Sequence, residues 1–131
     1  MRGNCLCGDV SFELSDGERE VYKCHCSLCR KVFGGASSAV TLVPERDFQW
    51  LSGADKLGEF ELRPSFRRRF CPRCGVLAPL HLPEYGAYWV PAGLLEDSSQ
   101  LTLVRHIHVD SKASWEVLDE HLERLAEGID G

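Results

Sequence analysis

The chain has 131 residues, of which 44% are hydrophobic and 27% charged, and carries a formal charge of −5 at pH 7. That length suits one domain, residues 1–131, with a real core, and the composition is that of a globular chain rather than a disordered one. The acidic balance argues against a nucleic-acid binder, which presents a basic face, and the longest uncharged run, Val32 to Pro44, is too short and too polar to cross a bilayer.

Read in chain order, the elements are mostly short strands. Val10, Phe12 and Leu14 alternate with polar residues and predict a half-buried strand, followed by turn chemistry at Ser15-Asp-Gly17. A cysteine cluster at 24–29 then runs into Arg30, Lys31 and the Gly34-Gly35 pair. Ser38 to Val43 reads as a strand halted by Pro44. Phe48–Leu51, Leu57–Leu62, Phe66–Phe70 and Ala87–Val90 are further strands, and Leu101 to Val109 is the longest. Trp115, Leu118, Leu122 and Leu125 recur at three- and four-residue steps before Gly128, which predicts a C-terminal helix. The fold class expected is mainly β: a single domain of short antiparallel strands with that terminal helix.

The seven cysteines form three clusters: Cys5-x-Cys7, Cys24-x-Cys26-x2-Cys29 and Cys71-x2-Cys74. Seven is odd, so disulfides cannot absorb them all. No apolar h-region precedes the first pair, so no signal peptide is expected. Clustered cysteines without one point to metal ligation in a reducing cytoplasm. A closed structural zinc site takes four ligands, whereas a catalytic one typically takes three from the protein and keeps a position open. Cys71-Pro-Arg-Cys74-Gly75 supplies half a closed site. Its other half is either Cys26 and Cys29, as in a plain zinc ribbon, or Cys5 and Cys7. The ribbon leaves Cys5, Cys7 and Cys24 unexplained; the second partition leaves Cys24, Cys26 and Cys29 as a compact group and is favoured. Three thiolates give zinc a formal charge of −1, which suits it poorly to making hydroxide and better to holding a substrate thiol as thiolate. Arg30 and Lys31 would offset that charge or meet an anionic substrate, or else lie solvated on the surface. His25, between two ligand candidates, is expected to point away from the metal.

Gly3-x-Cys5-x-Cys7-Gly8-x-Val10, Cys24-His-Cys-Ser-x-Cys29-Arg-Lys31, Phe70-Cys-x-x-Cys74-Gly75 and His106-Ile-x-Val109-x-Ser111-Lys-Ala113-x-Trp115 occur in that order. With these four elements the chain closely resembles the glutathione-dependent formaldehyde-activating enzyme family, from residue 3 to residue 115. The resemblance implies a zinc-stapled, β-tent-like fold. It implies structural zinc at Cys5, Cys7, Cys71 and Cys74 and catalytic zinc at Cys24, Cys26 and Cys29, the latter site open to partial occupation. It also implies a carbon–sulfur lyase activity: reversible formation and cleavage of S-hydroxymethylglutathione or a related thiol–aldehyde adduct. The partners expected are therefore a small thiol such as glutathione and an aldehyde, with no nucleic acid and no membrane. Ser114 stands where that family often has proline, and no residue matches a glutathione pocket.

Two other readings use the same residues: a non-catalytic zinc-stapled binding module, and a thiol-based metal or redox sensor in which Cys24, Cys26 and Cys29 oxidise. His106 and His108 are conceivable proton shuttles, with half-buried structural histidines the plainer expectation. Along Arg67-Arg68-Arg69 a strand puts the outer two on one face and the middle one on the other, so the run is not one basic patch. Lys112 is expected to touch substrate or pair with an acid, and Tyr85, Tyr88 and Trp89 to pack into the core or wall a pocket.

Overall fold

The computed structural model describes residues 1–118 and 121–130. Its strands are β1 (Arg2–Asn4), β2 (Ser11–Leu14), β3 (Arg19–Cys24), β4 (Ser38–Pro44), β5 (Phe48–Ser52), β6 (Gly58–Arg63), β7 (Phe66–Phe70), β8 (Leu80–Leu82), β9 (Ala87–Pro91), β10 (Leu101–Ile107) and β11 (Glu123–Arg124). The α-helix among the described residues is α1 (Ser27–Phe33), and short 3-10 turns follow several strands. The chain is therefore mainly β. It falls into two compact units, one made of residues 1–17 and 42–100, the other of residues 18–41 and 101–131.

In the first unit β2 lies between β1 and β5, antiparallel to both. Val10, Phe12 and Leu14 are all buried, as their alternation predicts. The ring of Phe12 occupies the space left by the absent side chain of its strand partner Gly3, where a Cβ would come within 2.3 Å of it. Phe12 stacks on Phe48, and Phe48 on Tyr88 with centroids 3.8 Å apart, so Tyr88 packs inward with the buried Trp89 while Tyr85 is exposed. The antiparallel pairs β6–β7 and β8–β9 complete the unit. On β7 the guanidinium of Arg68 lies over the rings of Phe66 and Trp89, at 4.1 and 4.4 Å from their centroids. Arg67 faces Glu59 across the hairpin at 3.6 Å, and Arg69 donates to the Ala54 carbonyl. The arginine run is thus divided between two faces.

Gly53 closes the turn after β5 with φ at 81°, and a Cβ there would stand 2.4 Å from the Asp9 carbonyl oxygen. Both the left-handed backbone and the collision with main chain oppose any side chain. Gly53→Ala is expected to destabilise the protein by about 2–4 kcal/mol in urea unfolding. A change within about 0.5 kcal/mol, as at an ordinary surface position, would contradict this geometry.

In the second unit β10 runs parallel to β3, with Leu103 opposite Val21 and Ile107 opposite Cys24, while β4 pairs antiparallel on the other side of β3 through Tyr22–Val40 and Cys24–Ser38. A register shift between Leu103 and Arg105 breaks the strict alternation expected of this strand and leaves the consecutive His106 and Ile107 both buried. β10 ends at Ile107, two residues short of the expected Val109, because His108 turns left-handed with φ at 55°.

The predicted C-terminal helix is corrected by the structure. Trp115 and Val117 are exposed, and Glu123–Arg124 forms β11, parallel to β10 at Arg105–His106. Residues 119 and 120 of the predicted helix lie outside the described residues. The free edge of β10 wins over local periodicity: the Leu125 amide donates to the His106 carbonyl at 2.8 Å, and the Val109 amide to the Leu125 carbonyl at 3.1 Å. The helix that does form, α1, lies where the sequence suggested only a cluster running into glycines.

Candidate metal centres

Each unit carries one group of cysteines, and all seven thiols are free. In the first unit Cys5 and Cys7 follow β1, and Cys71 and Cys74 follow β7. The two turns are built alike. Gly8 donates to the Cys5 carbonyl and Gly75 to the Cys71 carbonyl, both glycines holding positive φ. The amides of Cys5 and Cys71 reach forward to the carbonyls of Val10 and Val76. The Val10 amide also donates to the Cys5 sulfur at 3.3 Å, an N–H aimed at a sulfur of the kind the neighbouring glycine lets the backbone supply.

All four sulfurs lie within 4.8 Å of one another, with Cys5 and Cys7 at 3.6 Å and Cys7 and Cys71 at 3.7 Å. A tetrahedral ion with Zn–S bonds of about 2.3 Å sets its sulfurs about 3.8 Å apart, so the spacing fits such an ion. Val10 and Ala78 are buried in the same cluster, with Trp50, Leu57 and Val76 packed against it. Crowding pulls the thiols apart in acidity. The amides of Cys7 and Val76 hold Cys74 down at about 6. The Asp9 backbone favours the Cys7 thiolate, but burial and the sulfurs of Cys5, Cys71 and Cys74 outweigh it and push Cys7 up to about 12.

In the second unit Cys24 ends β3, Cys26 is the N-cap of α1 and Cys29 sits in its first turn. A thiol takes the capping role usually given to an oxygen: the Cys26 sulfur accepts from the Cys29 amide at 3.3 Å. The Cys24 amide donates to the Ser38 hydroxyl at 3.3 Å. Cys24 and Cys29 are buried, Cys26 is half-buried, and the three sulfurs lie within 4.8 Å of one another. Ile107 is buried in the same cluster, with Tyr22 and Leu125 packed against it. The thiols of Cys24 and Cys29 hold Cys26 down at about 2, with the amides of Cys29 and Leu28 adding to the effect. Cys24 is pushed up by hydrogen bonding to Cys26 and Cys29 and by burial. For Cys29 the Cys24 contact lowers the value, but Cys26 and burial raise it further. Three sulfurs this close together form a donor set that could hold a metal ion.

His25 is not part of this donor group. It is fully buried, its amide donates to the Ile107 carbonyl at 3.0 Å, and its Nε2 lies 2.9 Å from Nδ1 of the equally buried His106. Burial, then the proximity of His106, lowers the pKa of His25 and favours its neutral ring. The sequence presents these as two separate histidines 81 residues apart, and nothing in their local patterns pairs them. His108 lies at the left-handed turn, with its amide on the Glu127 carbonyl. Arg30 and Lys31 occupy the last turn of α1. The ammonium of Lys112 donates to the carbonyls of Ala113 and Glu116 at 3.2 and 2.7 Å rather than pairing with a carboxylate among the described residues.

Comparison with known proteins bears on the whole of this arrangement. A family model described as glutathione-dependent formaldehyde-activating enzyme matches residues 1–111. A protein of Halomonas elongata is 27% identical over 123 residues, covering 88% of this chain and 78% of its own length. One of Fusarium vanettenii is 28% identical over 76 residues, covering 58% of this chain and 41% of its own length. Both carry the name "Putative glutathione-dependent formaldehyde-activating enzyme". The crystal structure of a Rhodobacter sphaeroides protein superposes with a TM-score of 0.60 at 25% identity, over 73% of this chain and 88% of that one. No helix among the described residues is long and apolar enough to cross a membrane.

Proposed function

The chain belongs to the glutathione-dependent formaldehyde-activating enzyme family, and from that premise we propose that it is a zinc-dependent carbon–sulfur lyase. It forms and cleaves the adduct of a small thiol, glutathione or a relative, with formaldehyde or a related aldehyde. The observation that carries this reading is the unequal pair of donor groups: four sulfurs in one, three in the other. Both are all-thiolate sets at a spacing that zinc accepts. In this reading Cys5, Cys7, Cys71 and Cys74 hold a structural ion, and Cys24, Cys26 and Cys29 hold a second with one position left for substrate. The turned-away His25 is consistent with that open position, since its Nε2 already faces His106.

Zinc at the three-cysteine group supplies an electrophilic site that favours a substrate thiol as thiolate near neutral pH. The chain's own residues do the rest. Cys24, Cys26 and Cys29 fix the site at the junction of β3 and α1. Arg30 and Lys31, at the far end of α1, provide positive charge against three thiolates and an anionic substrate. In the forward direction the sulfur lone pair forms the S–C bond, the carbonyl π pair moves to oxygen, and the proton lost by the thiol ends on that oxygen. Cleavage reverses each movement. Holding the two partners together accounts for the acceleration, since the addition needs orientation more than a strong base. The free thiols of all seven cysteines accord with a reducing cytoplasm as its place of work.

The test is NMR exchange spectroscopy on formaldehyde, glutathione and their adduct with the zinc-loaded chain. Exchange faster than the spontaneous rate is expected, and an unchanged rate would overturn the substrate assignment. Metal analysis with a free-thiol count separates the alternatives. Two zinc ions per chain are expected; one zinc with three reactive thiols would favour a thiol sensor or a non-catalytic binding module.

A further inference from the structure

Cys24 and Cys26 are separated by one residue, and in near-extended backbone that residue points opposite to both. Any rotation of His25 about the chain therefore moves two of the three sulfurs together. The structure fixes His25 at two points: its amide on the Ile107 carbonyl, and its ring on the ring of His106. Both anchors are consecutive residues of β10, and β10 is itself held between β3 and β11. We propose that His106 is a positioning residue for the three-cysteine group: by binding the His25 ring it sets the orientation of the Cys24–Cys26 segment and thereby how firmly the group holds a metal ion. This rests on the zinc reading of that group.

The physical case is one of location and cost. The two rings are at most 1% exposed, so no water competes for their bond. A buried polar pair of this kind gives little net stability over two apolar side chains of the same shape, whereas leaving one partner unpaired is costly. Stability alone is thus a poor reason to place one member of the pair between two candidate ligands. Outer partners that orient ligands commonly change metal affinity by about 10–100-fold.

The experiment is chelator competition on the zinc-loaded full-length chain, following release of the two ions separately. In His106→Leu the ion of Cys24, Cys26 and Cys29 is expected to be held about 10–100-fold more weakly, with the four-cysteine ion unchanged as an internal control. His106→Asn, whose amide places a polar atom near the former Nδ1 position, is expected to recover most of the loss. The His25→Leu, His106→Leu double variant removes both members of the ring pair together, so it is expected to keep the fold yet still release the first ion early. If the double variant holds that ion as firmly as the parent, or if both ions loosen together in His106→Leu and Asn fails to rescue, the pair is merely structural and the proposal falls. A parent chain that retains one zinc only would overturn the zinc reading instead. The positioning role is then read from alkylation of Cys26 by iodoacetamide in the zinc-loaded chain, expected to quicken in the double variant as the ion shields that sulfur less, and an unchanged rate would overturn it.

Discussion

Cys71→Ser is expected to unfold the first unit under conditions in which the parent chain is stable. Cys71 is 1% exposed and packs in one cluster with Val10 and Ala78. Its sulfur lies 3.7 Å from that of Cys7, so the group ties together two turns 64 residues apart. Zinc in small structural sites is worth about 10–16 kcal/mol of apparent binding free energy, comparable with the whole net stability of about 5–15 kcal/mol of an ordinary domain. Losing a ligand need remove only part of that to matter. A deficit of about 3 kcal/mol lowers the melting temperature of a chain this size by about 10 °C or more. Far-UV circular dichroism during heating, with zinc counted per folded chain, gives the measurement. A variant that melts with the parent and keeps both ions would remove the structural role from this group.

Cys26→Ser should behave in the opposite way, staying folded while losing the second ion and all acceleration of adduct exchange. The argument is local. Cys26 caps α1 through its sulfur, and serine is among the best residues at that position, so the helix keeps an acceptor for the Cys29 amide. The side chain is half-buried, and the neighbouring Cys24 and Cys29 retain their places in β3 and α1. The expected cost in stability, compared between metal-free chains, is below about 1 kcal/mol. What disappears is one of the three sulfurs that lie within 4.8 Å of one another, without which the group falls to two donors. Metal analysis should show one zinc instead of two, and exchange of formaldehyde with thiol should fall to the spontaneous rate. Unfolding as severe as that of Cys71→Ser would mean that the two groups do not divide the work between them.

Much of this was legible in the residues because the relevant signals are short-range. Cys5 and Cys7, Cys71 and Cys74, and the 24–29 cluster announce themselves by spacing, and Val10, Phe12 and Leu14 by alternation. The errors fall where distant backbone decides. The stripe of Trp115, Leu118, Leu122 and Leu125 has helical period, yet the chain there spends its amides and carbonyls on the edge of β10, whose vacancy no local window reveals. α1 was missed because it has seven residues and a sulfur cap in place of the customary oxygen. The contact of His25 with His106 joins segments 81 residues apart and depends on a register shift inside β10, which alternation alone cannot anticipate. The cysteine spacing shows which residues could share an ion; it is silent on what orients them.

That β10 is the template for the 24–29 segment has a consequence for how the protein is made. A ribosome adding about 5–20 residues per second takes about 4–16 s to deliver His106 after His25 has been built in. Throughout that interval Cys24, Cys26 and Cys29 exist on a nascent chain without the strand that orients them. Until that strand arrives their thiols have no frame in which to hold an ion, so oxidants and stray soft metals can meet them before the centre assembles.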